Sequence, residues 1–258
     1  MTVLRLRRGS IGFAIFAIVL AAAFLGLGVW QLKRRIEKHA LIGALSERLA
    51  AAPVPLPGSS QWRALAPERD EFRRVTFTAT YRRAPEAMVY SSGSALRHDI
   101  SGPGTWAFLP ARLNSGETVV INAGFVPNTM QDRAVQDRAV MKLITGEPVM
   151  RCGYLRFPER SGLFTPAENL EKRLWFVRDH LAMAKRLGWG AVAPFYVDLK
   201  SPSPENGIPK PGPLTINLRD DHMQYAVTWF ALAALVLIAF AVWLRGYRAV
   251  GGRIGEAS

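Results

Sequence analysis

Residues 11–30, IGFAIFAIVLAAAFLGLGVW, and residues 225–244, YAVTWFALAALVLIAFAVWL, are each twenty positions long and carry no charge. A helix rises about 1.5 Å per residue, so either run covers the roughly 30 Å of hydrocarbon in a bilayer. Nothing between them in this chain of 258 residues is nearly as apolar. The sequence therefore predicts two transmembrane helices, one near each end, flanking a separate middle domain. The expected division is a cytoplasmic N-terminus at 1–10, a span at 11–30, an extracytoplasmic domain with its connecting segments at 31–221, a span at 222–244 and a cytoplasmic C-terminus at 245–258.

The net charge of +13 is unevenly spread. Residues 1–38 carry +6, residues 222–258 carry +2, and the long middle only +5. More than half of the excess thus lies beside the spans, where it sets topology and meets an anionic lipid membrane. That distribution leaves a nucleic-acid face unmotivated. Arg5, Arg7 and Arg8 precede the first span, and Arg245, Arg248 and Arg253 follow the second. They put both termini inside. Lys33, Arg34, Arg35 and Lys38 oppose this, but charges in a long intervening segment count little in orientation. The rival for the first span is a cleaved leader, since MTVLRLRR is basic and Ala21-Ala22-Ala23 is small. The apolar run continues through Trp30, longer than a leader needs, and favours a retained span. Cys152 is the only cysteine, so no internal disulfide forms.

In the middle segment, Pro53-Val54-Pro55-Leu56-Pro57-Gly58 reads as a linker ending a helical continuation of the first span. Within 74–82, Val75, Phe77, Ala79 and Tyr81 alternate with polar residues, the pattern of a half-buried strand. Runs 86–91, 105–113, 117–126, 147–157 and 193–199 read as further strands separated by Gly, Pro, Ser and Asn signals. Asp179 caps a helix through Gly188, with Leu181, Ala184 and Leu187 expected on one face. The duplicated QDRAV at 131–135 and 136–140 fits a surface loop or short helix, and 201–213 an extended approach to the second span. The fold class is a membrane protein: two transmembrane helices flanking an α+β extracytoplasmic domain rich in antiparallel β-sheet, able to curl toward a barrel.

There is no P-loop, C-x-x-C, H-E-x-x-H or G-x-S-x-G, and no enzyme class rises above background. What remains is the start of the second span. On a helix, His222, Tyr225, Ala226 and Trp229 fall at i, i+3, i+4 and i+7. An imidazole at the bilayer edge can ligate iron while Tyr225 and Trp229 pack against a flat apolar macrocycle. Equally, a headgroup-level histidine is wet, and Tyr and Trp belong to the interfacial belt. Trp30 and Gln31 end the first span under the same two readings, and Gly28 permits close approach of the second span or a ligand. His39, His98 and His180 read as ordinary surface residues.

Four stretches, in order, resemble a known family. They are Gly28-x-Trp30-Gln31-x-x-Arg34-x-x-x-Lys38-x-x-Leu41-Ile42, Arg74-Val75-x-x-x-Ala79-x-Tyr81, GETVVINAGFVP at 116–127, and His222-x-x-Tyr225-Ala226-x-Thr228-Trp229-Phe230. Gly162-x-Phe164-Thr165-Pro166 and Trp175-Phe176-x-Arg178-Asp179 also fit. The pattern, over about residues 15–245, resembles the Surfeit-locus protein 1 family of cytochrome c oxidase assembly factors. The resemblance implies a non-enzymatic role in making haem-copper oxidase, by binding haem a as transient cargo and aiding its insertion. The implied partners are the catalytic subunit of cytochrome c oxidase and other assembly factors. The alternative is a membrane scaffold that stabilises a nascent oxidase subunit without binding haem. The cofactor-binding residues carried over are His222, as the metal ligand, with Tyr225, Trp229, Trp30 and Gln31. The short N-terminus points to a bacterial inner (plasma) membrane, with the middle domain in the periplasm. The chain departs from the family at Asp220 and Asp221, where asparagines are usual, at Ala123 for arginine, at Ala79 for glycine and at Glu37 for an aromatic residue. Two carboxylates beside a haem would repel its propionates unless Arg219 or a lysine offset them.

Overall fold

The computed structural model describes residues 8–94, 96–128, 132–215 and 220–255. Arg219 lies outside the described residues. The chain divides into two compact units, Met1–Gly43 with Leu218–Ser258, and Ala44–Asn217.

The first unit holds the apolar runs. Helix α1 (Arg8–Ala50) contains the first run and its amphiphilic continuation without a break. Ile11–Ala50 and the stretch His222–Gly246 of the C-terminal helix are each long and apolar enough to cross a membrane. Only 17% and 6% of their most apolar windows are buried, whereas the core helix of a soluble protein would be mostly covered. The buried positions are small: Ala17 and Ala21 on one helix, Ala226 and Ala233 on the other. In lipid there is no hydrophobic gain from packing one apolar helix on another, so close backbone approach at small residues supplies the contact. Phe13 packs on Trp243 and Phe24 on Trp229, with ring centroids 4.8 and 5.6 Å apart.

The second unit is an α+β domain. After α1 come β1 (Val54–Pro55), a 3-10 turn (Ser59–Ala64), α2 (Pro67–Asp70), β2 (Arg74–Tyr81), β3 (Ala87–Ser91), β4 (Gly104–Leu113) and β5 (Thr118–Pro127). They are followed by α3 (Arg133–Met141), β6 (Val149–Arg156), β7 (Leu174–Trp175), α4 (His180–Leu187) and β8 (Tyr196–Ser201); α5 (His222–Gly255) belongs to the first unit. The sheet order is β1-β2-β6-β8-β5-β4-β3-β7, and a further β2–β4 pairing closes β2, β6, β8, β5 and β4 into a five-stranded barrel. Within that ring only β5 and β8 run parallel.

Alternation fills the barrel. On β2 the residues Val75, Phe77, Ala79 and Tyr81 are buried and their neighbours half-buried, as their spacing predicts. They join Leu109, Val119, Ile121, Leu155 and Val197 in one apolar cluster. A second cluster, with Val89, Trp106, Phe108, Trp175, Met183 and Trp189, covers the outer face of β3–β5 beneath α4. Strands β4 and β5 are therefore buried on both faces, which explains their nearly continuous apolar sequence.

Three expectations are corrected. The Pro-rich segment 53–58 is not only a linker, because Val54–Pro55 pairs in parallel with Val75–Thr76. Helix α4 is capped by Asp179, whose side chain accepts from Leu181 N and Ala182 N, and it ends at a left-handed Gly188. Its buried face, however, is His180, Met183 and Ala184, while Leu181 is exposed. His180 is consequently no surface residue: it is fully buried, and Nε2 donates to Ala193 O at 3.0 Å. Burial pushes its pKa down to about 4, so it stays neutral in the fold. The short helix expected of the QDRAV duplication is present, its residues 133–140 lying in α3. Asp132 caps it by accepting from Ala134 N, whereas Asp137 pairs with Arg133 and Arg173. A period of five is 1.4 turns, so equivalent residues of the repeat face different ways.

Candidate functional site at the start of the second apolar helix

The residues around His222 all lie in the first unit. His222 opens α5, where its backbone N–H donates to Asp220 Oδ1 at 3.1 Å. This fixes the start of the helix, since the first N–H groups of a helix need partners outside it. The side chain is half-buried, and its Nδ1 lies 2.8 Å from Gln31 Oε1 on α1. An amide oxygen only accepts, so Nδ1 carries the proton and Nε2 the lone pair. A histidine arranged in this way presents a metal-ligating nitrogen, because a hydrogen bond at the other nitrogen fixes both tautomer and ring orientation. Among the described residues no cluster of three or more His, Cys, Asp or Glu is placed to hold a metal ion.

Asp220 joins α1 to the start of α5. Its Oδ2 lies 2.5 Å from His39 Nε2 and 3.4 Å from Arg35 Nε. The hydrogen bond from His39 holds the Asp220 carboxyl below its ordinary pKa, and the half-exposed Arg35 adds positive charge. The carboxylate is therefore offset by groups from α1. Arg34 is paired with Glu37 at 3.1 Å, both exposed.

The predicted stripe divides. Ala226 is buried and Trp229 stacks on Phe24 within the helix pair, whereas Tyr225 is 55% exposed. Trp30 is exposed too, one residue from Gln31. The structure thus brings together His222 and Gln31, packs Trp229 between helices, and leaves Tyr225 and Trp30 on the outer surface. At Gly28 an added Cβ would lie 2.6 Å from the Phe230 ring, so the close approach there is by the second helix itself. Asp220, Arg35 and His39 had no readable link in sequence, His39 and Asp220 being 181 residues apart.

The frame defines a class: a membrane protein with two flanking apolar helices and a closed β-barrel domain, carrying an oriented histidine at the start of the second helix. A family model described as the SURF1 family matches residues 18–234, and the chain belongs to that family. It is 31% identical to Surfeit locus protein 1 of Rattus norvegicus over 229 residues, covering 85% of this chain and 71% of that protein. It is also 31% identical to Surfeit locus protein 1 of Homo sapiens over 244 residues, covering 90% and 77%. A SURF1-like protein of Monosiga brevicollis is 28% identical over 259 residues, covering 96% and 92%.

Proposed function

We propose that this chain is a non-catalytic assembly factor for haem-copper oxidase, which binds haem a at His222 and hands it to the catalytic subunit. Family membership supports the oxidase context. The observation that carries the haem reading is the contact between His222 Nδ1 and Gln31 Oε1, which would leave Nε2 available to ligate iron. Tyr225, one turn along α5 from that histidine, and Trp30, next to Gln31 in sequence, are exposed and would cover the macrocycle, while Trp229 stacks on Phe24 in the helix pair. Arg35 offsets the charge of Asp220, and the hydrogen bond from His39 occupies one of its oxygens, which would lower its repulsion of the propionates. In this reading the chain sits in a bacterial inner membrane with its barrel domain outside and both tails inside, an orientation that the arginines flanking the spans support. The scaffold reading, without haem, is favoured by the stacking of the Trp229 ring on Phe24, which spends that ring on helix packing.

Purification from cells that make haem a, followed by extraction and identification of the haem, tests this directly. Wild type should retain haem a with a Soret band, and His222→Ala should lose most of it. Equal haem in both proteins removes His222 as ligand. Absence of haem from wild type, with oxidase subunits still co-purifying, replaces the cargo reading with the scaffold.

A further inference from the structure

Three arginines are almost wholly buried in the barrel domain: Arg97, Arg151 and Arg156, at 2%, 5% and 6% exposure. Arg97 is paired with Asp99 at 2.8 Å, and Arg156 with Glu71 and Asp198 at 2.6 and 2.7 Å. Among the described residues, no carboxylate forms an ion pair with Arg151. Its strand position opposite Phe77, a barrel-interior residue, turns it inward. There Nη1 donates to Ala79 O and Val149 O, both at 2.8 Å, and the guanidinium lies 4.3 Å from the centroid of the Tyr81 ring. Two carbonyls and a ring face are weak compensation for a buried unit charge, whose desolvation is met in full only by an opposite charge.

Arg151 also lines a cavity of about 520 Å³. The cavity lies where β2 ends and β6 begins. Tyr81, Ala123 and Leu199 share its floor, Leu143 and Lys142 come from the segment after α3, and the loop 202–206 covers it. Tyr81 Oη is buried beside Arg151, and among the described residues no other group hydrogen-bonds to it. The volume suits a ligand of drug size rather than a few waters. Its lining is mixed, with apolar side chains from Ala123, Ala139, Leu143 and Leu199, one cation inside, a second, Lys142, at the exposed rim, and the exposed carboxylate of Glu205 on the covering loop.

We propose that this cavity binds an amphiphilic monocarboxylate of the fatty-acid class, its head on Arg151 and its chain against Ala123, Leu143 and Leu199. The missing carboxylate of Arg151 is then the ligand's own. An alcohol of the same length lacks the charge, and a short carboxylate lacks the apolar body, so each should bind poorly. This proposal stands independently of the haem reading.

The test uses the full chain in nanodiscs, with empty nanodiscs as background, and dansylated undecanoic acid as the probe. Saturable, blue-shifted fluorescence displaced by dodecanoate is expected, with dodecanol and acetate at least tenfold weaker as competitors. Arg151→Met should weaken the probe at least tenfold and Arg151→Lys less. Ala139→Leu, which fills the cavity wall and leaves the arginine in place, should also abolish binding. Equal displacement by dodecanol or acetate overturns the proposal. So does unchanged binding in a folded Arg151→Met variant, which would leave Arg151 as a tie between two carbonyls. If Arg151→Met fails to fold, Ala139→Leu and the competitor series decide alone.

Discussion

Two carboxylates in this chain do similar work in opposite surroundings. Asp198, inside the barrel domain, accepts from Asn122 and pairs with Arg156, which in turn reaches Glu71 and stacks on Phe72. Asp220, beside the helix pair, pairs with His39 and Arg35, whose side chains are 53% and 41% exposed. The first network joins β5, β6 and β8 where water cannot replace a lost partner. In the second, His39 and Arg35 can turn to solvent, although the side chain of Asp220 itself is only 16% exposed. Burial, and not the number of charged contacts, decides which matters for stability and which is free to serve binding.

Breaking the buried network should have the largest effect. Asp198→Ala leaves Arg156 with one carboxylate fewer in a dry setting, and should destabilise the protein by about 3–5 kcal/mol in denaturant titration. Next comes acid. His180 has a folded pKa of about 4 against 6.5 unfolded, so its stabilisation is present above 6.5 and is lost as pH falls toward 4. Between pH 7 and pH 5 that loss amounts to about 2 kcal/mol, and His180→Gln should remove this part of the slope in pH-dependent unfolding. Gln31→Leu should weaken haem retention roughly tenfold while keeping the fold, the usual cost of removing the partner of a ligating histidine. Asp220→Asn should move the unfolding midpoint only slightly at neutral pH, and not at all in acid where the carboxylate is protonated. A clear shift there would erase the contrast between the two networks.

What was legible in sequence is what local pattern encodes. Twenty uncharged residues announce a span, and Val75, Phe77, Ala79 and Tyr81 announce a strand by alternation alone. The Asp179 cap and Gly188 end bound α4 because both signals act within a single turn. Its buried face was misjudged, because a histidine held neutral by desolvation looks the same in sequence as a wet one. Barrel closure is a matter of register between β2 and β4, where Ala79 meets Leu113, and no local pattern specifies it. At the site, His222 was legible through the family motif. Its contact with Gln31 spans 191 residues, and the offset of Asp220 depends on a turn of α1 that sequence shows only as a basic cluster.

The β2–β4 pairing has a consequence for how such a domain meets other chains. A closed ring has no free rim of backbone donors and acceptors, and the terminal strands of the extended sheet, β1 and β7, are two residues long. The ring therefore offers no template for strand addition, the usual means by which a sheet captures an unfolded polypeptide. A domain built in this way meets other chains through side chains and loops, and is spared the risk of edge-to-edge aggregation.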